Sequence, residues 1–211
     1  MLPTQICLLR HGETEWNRTG RIQGYADIPL NENGLKQARA VADHLAEEAP
    51  WHRIYSSDLQ RARVTAEQIA TRLGISLEVE ARLRERNCGI LEGKTREQVE
   101  QMFPGVELKN VDWDRLPGVE HRSALRKRAV EIMTILAKRH MGQKIIVVSH
   151  GAFIKCFLEA VTNLSLKDVR LYNTGLNRLT FRPGQTPGDE GSWTVVCLNQ
   201  ANHLSLERNS T

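Results

Sequence analysis

Apolar positions recur along this chain with two periods, short continuous runs and steps of three to four, and the two alternate over most of its length. Ile6-Cys7-Leu8-Leu9 has the length and flanks of a buried strand. The turn cluster Pro29-Leu30-Asn31-Glu32-Asn33-Gly34 then leads into a helix carrying Leu35, Ala38, Ala42 and Leu45, which Pro50 ends. Ile54-Tyr55-Ser56-Ser57 reads as a short strand with a polar end. Asp58 is expected to cap the next helix, which presents Ala62, Ala66, Ile69 and Leu73 on one face and stops at Gly74. Leu77 and Val79 alternate with Glu78 and Glu80, a third strand that empties into a charged loop over residues 82–94.

Residues 95–121 give mixed signals: a helical turn or two near 96–102, then loops marked by Pro104, Gly105, Pro117 and Gly118. Such an excursion suits a substrate lid. Leu125, Ala129, Ile132 and Leu136 define the longest helix, about 123–139, closed by Gly142. The clearest buried strand is Lys144-Ile145-Ile146-Val147-Val148-Ser149, followed by an apolar helix over about 152–161. Leu176, Arg178 with Leu179, and Phe181 suggest a strand, residues 182–191 a Pro/Gly-rich loop, and residues 193–198 the partner strand. The tail, 207–211, is expected to fray. Strands alternating with helices and closed by one hairpin indicate an α/β fold, a mostly parallel central sheet flanked by helices as an α/β/α sandwich.

The 211 residues, 40% hydrophobic and 26% charged, fit one soluble domain able to bury a continuous core. No apolar run approaches membrane-spanning length, and the first ten residues lack the features of a secretory signal, so a cytoplasmic protein is expected. Cys7, Cys88, Cys156 and Cys197 are far apart, with no C-x-x-C, and three lie in apolar runs, which indicates neither a disulfide framework nor a zinc site. The seven histidines show no metal-ligand spacing, so no metal is expected. The net charge of +4 is spread among acids. Its densest cluster, Arg122, Arg126, Lys127 and Arg128, reads as a solvated helix face, so neither a nucleic-acid nor a membrane partner is expected.

The chemistry begins where the first strand ends in Arg10-His11-Gly12, and the same pattern returns where the strong strand ends in His150-Gly151. In a parallel sheet the carboxyl ends share one edge, so His11 and His150 converge if their strands are neighbours. Arg61 lies one helical turn beyond the second strand, and Glu85 follows the third. Each has a plain alternative: a surface arginine, a solvated carboxylate, a core histidine ending a strand. Together they supply a neutral imidazole, cations for phosphate oxygens and a proton donor, which phosphoryl transfer through histidine needs. The Gly151 amide, at a helix start, is a further candidate donor to phosphate.

In these motifs the chain resembles the histidine phosphatase superfamily, which includes the cofactor-dependent phosphoglycerate mutases. The resemblance runs from about Ile6 to Leu204 and rests on L-L-R-H-G-E-T-E-W-N, R-I-Q-G, P-L-N-E-N-G, Y-S-S-D-L-Q-R-A-R-V-T-A, L-R-E-R-N-C-G-I-L-E-G-K and V-V-S-H-G, in the family's order and spacing. It implies that His11 becomes phosphohistidine, that Arg10, Arg61 and His150 clamp the phosphoryl group, and that Glu85 protonates the leaving alcohol and then activates water. Asn17, Gln23 and Gly24 fall where the family's first loop meets phosphate and substrate. The resemblance implies no metal or other cofactor and a small phosphorylated metabolite as ligand; whether the chain is a monomer or homodimer stays open.

The chain also departs from the family. Gly118-Val119-Glu120-His121 stands where many members have G-G-E-S, with Arg128 at the expected distance from Glu120, so these two read as a structural pair. Cys88 stands where mutases often carry tyrosine, and His203 matches a tail motif read as support from behind the site.

The resemblance leaves three activities: phosphomonoester hydrolysis, 2,3-bisphosphoglycerate-dependent mutase activity, and silent binding of phosphorylated partners. Hydrolysis is expected. The stretch between the acid and the long helix is short, with mixed charges at Glu97, Glu100, Glu107, Lys109, Asp112 and Asp114, and Ala152-Phe153-Ile154 suggests an apolar pocket wall open to varied phosphomonoesters.

Overall fold

The structure, a computed structural model, describes residues 2–104, 111–162, 164–166, 168–186 and 190–204. Strands β1 (Thr4–Arg10), β2 (Arg53–Ser56), β3 (Leu77–Val79), β4 (Lys144–Ser149), β5 (Leu176–Arg182) and β6 (Ser192–Gln200) form one sheet in the order β3-β2-β4-β1-β5-β6. The first four run parallel, while β5 is antiparallel to β1 and β6 to β5. Helices α2 (Glu32–Ala46) and α3 (Gln60–Leu73) cover one face, α5 (Arg122–Arg139) and α6 (Gly151–Thr162) the other.

Strand pleating assigns each apolar run to both cores. Ile6 and Leu8 of β1 and Ile145 and Val147 of β4 pack with α5 and α6; Cys7, Leu9, Ile146 and Val148 pack with α2 and α3. Burial on both sides explains why these two strands read as unbroken hydrophobic runs. Each such aliphatic side chain taken from water contributes about 1.5–3 kcal/mol, and the strand ends that carry the site extend from this buried centre.

Several boundaries differ from the pattern-based reading. Asp58 is not the cap of α3: Leu59 holds that position without a side-chain bond, and the first-turn amide of Gln60 donates instead to Asp27 Oδ1 at 2.6 Å. Asp58 is turned away to grip the Arg84 guanidinium with both carboxylate oxygens. A cation within reach outbids a backbone amide, because the charge-assisted bidentate pair is the stronger interaction. Residues 15–18 form a one-turn helix, α1 (Glu15–Arg18), started by a reciprocal bond between Thr14 and Asn17.

The basic cluster on α5 is divided. Arg122 pairs with Glu159 and Lys127 with Glu131, as a solvated face would. Arg128 instead turns inward to Glu120. The excursion contains α4 (Arg96–Met102) and a 3-10 turn at Trp113–Arg115, over a small third core of Cys88, Leu91 and Val99. Gly105, Glu107, Lys109 and the tail at 207–211 lie outside the described residues. Among the described residues no helix is long and apolar enough to cross a membrane.

Candidate active site

Because β1 and β4 are parallel neighbours with Arg10 opposite Ser149, His11 and His150 leave the sheet side by side, their ring centroids 5.2 Å apart. The loop after β1 presses against the start of α2. A Cβ on Gly12 would stand 2.6 Å from the Gly34 carbonyl oxygen, and one on Gly34 2.0 Å from that of Glu13, so both positions require glycine. The His11 ring is 2% exposed, and its Nδ1 lies 2.6 Å from the Gly12 carbonyl oxygen. A carbonyl only accepts, so Nδ1 carries the proton and Nε2 keeps its lone pair. Burial, then the Arg61 and Arg10 charges, hold the His11 pKa well below the usual 6.5. The ring is therefore a neutral base with a defined nucleophilic nitrogen.

Arg61 is wholly buried in the first turn of α3, with Nη1 on the Ala26 carbonyl and Nη2 on that of Gly24, both at 2.7 Å. Burial lowers its pKa to about 10, which still leaves the guanidinium charged at neutral pH. Gly24 needs its φ of +52° and its missing side chain: a Cβ would meet Glu92 Oε1 at 2.2 Å. Glu92 in turn accepts from the Tyr25 amide at 2.7 Å and the Cys88 amide at 3.2 Å, tying the 23–25 loop to the 85–92 loop. His150 is wholly buried, and neither ring nitrogen has a hydrogen-bond partner among the described residues. Burial, with Arg61 and His11 next, holds its pKa well below 6.5 as well.

Glu85 sits at the start of α6. Its Oε1 accepts from the amides of Ala152 (3.0 Å), Phe153 (3.1 Å) and Arg86 (2.9 Å), while Oε2 has a single longer contact, 3.2 Å to Ala152. The first amides of α6 therefore hold the Glu85 carboxyl group by Oε1. Gly151 lies between Glu85 Oε2 and Arg10 Nε, 3.8 and 3.7 Å from where its Cβ would be. The loop that delivers Glu85 is gripped from behind: Arg128 binds Glu120 through two nitrogens, 3.1 and 2.8 Å, and donates to the carbonyls of Arg82, Arg84 and Glu85. Glu120 and Arg128 are thus a structural pair in contact with the loop backbone.

Asn17 Oδ1 is occupied by Thr14 and by Asn173 Nδ2 at 3.3 Å, which leaves its own amide nitrogen for a ligand. Gln23 is buried with Oε1 unpartnered. A segment that the periodicity did not mark closes the other side. Leu171 O accepts from Arg10 Nη1 (2.9 Å), Asn173 Nδ2 donates to His11 O (2.9 Å), and the Thr174 amide donates to Arg10 O (2.9 Å). Thr174, a β-branched residue at φ +56°, shares a 2.9 Å bond with buried His203, which places His203 behind the site through one intermediary. The only sequence signal was a polar Asn-Thr-Gly before β5.

Arg10, His11, Asn17, Gln23, Gly24, Arg61, Glu85 and Ala152 line a cavity of about 250 Å³, with Arg21, Ile22, Arg86, Cys88 and Trp113 around the rest. The apolar wall differs from the expected one. Phe153 and Ile154 are buried in the α5–α6 core, because a helix turns successive residues to different sides, and Ile22, Cys88 and Trp113 supply the apolar surface instead. Apart from His203 Nδ1, the buried polar atoms without partners among the described residues are Arg10 Nε, Arg61 Nε, Gln23 Oε1 and both nitrogens of His150. Of these, Arg10 Nε and Arg61 Nε are unpaired donors on residues that line the cavity and suit an anion rich in oxygens, whereas Gln23 Oε1 is an acceptor. Among the described residues no cluster of His, Cys, Asp or Glu has metal-holding geometry.

Comparison with known proteins agrees with this geometry. The model of the histidine phosphatase superfamily (branch 1) matches residues 6–194. A probable phosphoglycerate mutase of Yersinia pestis is 32% identical over 208 residues, covering 96% of this chain and 95% of its own. Among solved structures, a mycobacterial glucosyl-3-phosphoglycerate phosphatase is 28% identical with a TM-score of 0.81, over 93% and 99% of the two chains. A phosphoserine phosphatase from Entamoeba histolytica, solved with phosphoserine, is 30% identical with a TM-score of 0.78, over 95% and 99%.

Proposed function

Since the chain belongs to the histidine phosphatase superfamily, we propose that it hydrolyses phosphomonoesters of small metabolites through a phosphohistidine formed on His11. The observation that carries this reading is the Nδ1–H to Gly12 carbonyl bond, which leaves Nε2 as an unprotonated nucleophile between two arginines. In the first step Nε2 attacks phosphorus, the P–O ester bond breaks, and a proton on Glu85 passes to the departing oxygen. Oε2, the oxygen with one long contact, is the atom suited to carry that proton. In the second step Glu85 takes a proton from water as the water oxygen attacks, and the P–Nε2 bond breaks to release phosphate. Arg10, Arg61, His150 and the Asn17 amide stabilise the oxygens as charge builds on them, at donors fixed before reaction. No step calls on a metal, and chelation is expected to leave the rate unchanged.

Cavity size favours a compact leaving group, and the phosphatase relatives act on phosphoserine and glucosyl-3-phosphoglycerate. The names of relatives such as the Yersinia protein keep a 2,3-bisphosphoglycerate-dependent mutase as the second reading. One assay separates them: phosphate release from a panel of phosphorylated metabolites, after chelation, against 3- to 2-phosphoglycerate interconversion with 2,3-bisphosphoglycerate. Faster release supports hydrolysis. Interconversion quicker by about a hundredfold, roughly 2.7 kcal/mol in barrier, makes the protein a mutase. Acid-labile label that is absent from the wild type, or that persists in His11→Ala, would overturn the assignment of His11 itself.

A further inference from the structure

The phosphohistidine reading asks Nε2 of His11 to be unprotonated before each attack, and the group that secures this lies outside the cavity. Gly12 is the weak point. Packing against Gly34 forbids a side chain there, so the residue beside the nucleophile is the one with the widest backbone freedom. Something must remove that freedom.

We propose that Thr65 is a positioning residue that fixes the His11 tautomer by holding the Gly12 backbone, an inference that rests on the phosphohistidine reading. Thr65 lies one turn after Arg61 on the buried side of α3 and is wholly buried. Its hydroxyl donates to the Arg61 carbonyl at 2.7 Å and accepts from the Gly12 amide at 3.0 Å. Both directions are forced, because a carbonyl cannot donate and an amide N–H cannot accept. The same peptide plane is held at its other end, where the His11 carbonyl accepts from Asn173 at 2.9 Å. The Gly12 carbonyl lies in the next peptide plane, whose Glu13 amide donates to Gln37 Oε1 at 2.9 Å; with both planes held, the carbonyl stays aimed at His11 Nδ1. The hydroxyl therefore links the helix carrying the Arg61 clamp to the loop carrying the nucleophile, so the two cannot drift apart.

The test compares Thr65→Val, which keeps the shape and loses the hydroxyl, with Thr65→Ser, which keeps the hydroxyl. Thr65→Val is expected to lower kcat by about ten- to a hundredfold, the range that small misplacements of reacting groups produce, with KM nearly unchanged, and Thr65→Ser to restore most of it. Imidazole ¹⁵N shifts, assigned with His11→Gln, should show a protonated Nδ1 and a bare Nε2 in the wild type. In Thr65→Val the two shifts should move toward each other as the tautomers mix. Wild-type kcat in the valine variant, a serine variant as slow as valine, or a wild-type His11 protonated on Nε2 would each overturn the proposal. Should valine not fold, Thr65→Ala takes its place, and the wild-type tautomer still decides. Shifts report the tautomer whether or not label forms on His11, so failure of the phosphohistidine reading and failure of the Thr65 role give different results.

Discussion

At the scale of single residues, function here depends on which atom of a side chain is committed to the protein and which is left over. His11 spends Nδ1 on a carbonyl and keeps Nε2; Asn17 spends Oδ1 and keeps its amide nitrogen; Glu85 spends Oε1 on three amides and keeps most of Oε2. Glu85→Gln retains the acceptor oxygen and removes the transferable proton. It is expected to slow hydrolysis of alkyl phosphates by about two to four powers of ten while affecting p-nitrophenyl phosphate far less, since that leaving group departs without a proton. Equal losses on both substrates would remove Glu85 from the role of acid. The Asp58 reversal belongs to this scale too: the residue type was right for a cap, and a guanidinium that sequence distance hides took it away.

At the scale of elements, the sheet edge collects the site but a loop completes it. The path from β3 to Glu85 is short, a 3-10 turn at Ala81–Leu83 and a brief loop, held by Arg128 through Glu120 and three carbonyls. Arg128→Ala is expected to cost about 2 kcal/mol or more of stability, the worth of hydrogen bonds to a charged group, and to lower kcat more than it raises KM, because it loosens the acid and leaves the clamp in place. Glu120→Ala should do much the same, and the double variant should fall well short of the sum. Urea denaturation and steady-state kinetics on the three proteins would check this, and additive losses would show that the two residues act apart. The motif pair was legible in the sequence by its spacing; that it grips the Glu85 loop was not, since the carbonyls it binds have no sequence signature.

At the scale of the molecule, three buried rings make stability depend on pH. His11 and His150 are held well below 6.5, and His203 is lowered to about 4, each chiefly by burial. A folded-state pKa below the unfolded value means that the unfolded chain binds the proton first. The contribution is therefore complete above pH 6.5 and is lost as pH falls toward 4 and below. Asp58 and Glu80, whose pKa values are lowered by their arginine partners, add a slope of the same sign at the acid end. Thermal melting points should decline from about pH 6.5 downward, and a melting point constant to pH 4 would show that these rings take up protons within the fold.

The sequence by itself determined the layers. Continuous runs in β1 and β4, helical steps in α2, α3, α5 and α6, and strand ends bearing His11 and His150 are local patterns, and local patterns survive in one dimension. It also pointed to Arg10, His11, Arg61 and Glu85, which are among the residues lining the cavity, because strand ends of a parallel sheet have only one edge to go to. Tertiary structure decided what each of those residues does with its atoms: that α6 amides hold Glu85, that Phe153 and Ile154 face the core while Trp113 lines the cavity, that Leu171 and Thr174 bind Arg10 and Asn173 binds His11. Those are hydrogen bonds and contacts between residues tens to more than a hundred positions apart. Their energies depend on distance and direction in space, and neither is written into the order of the residues.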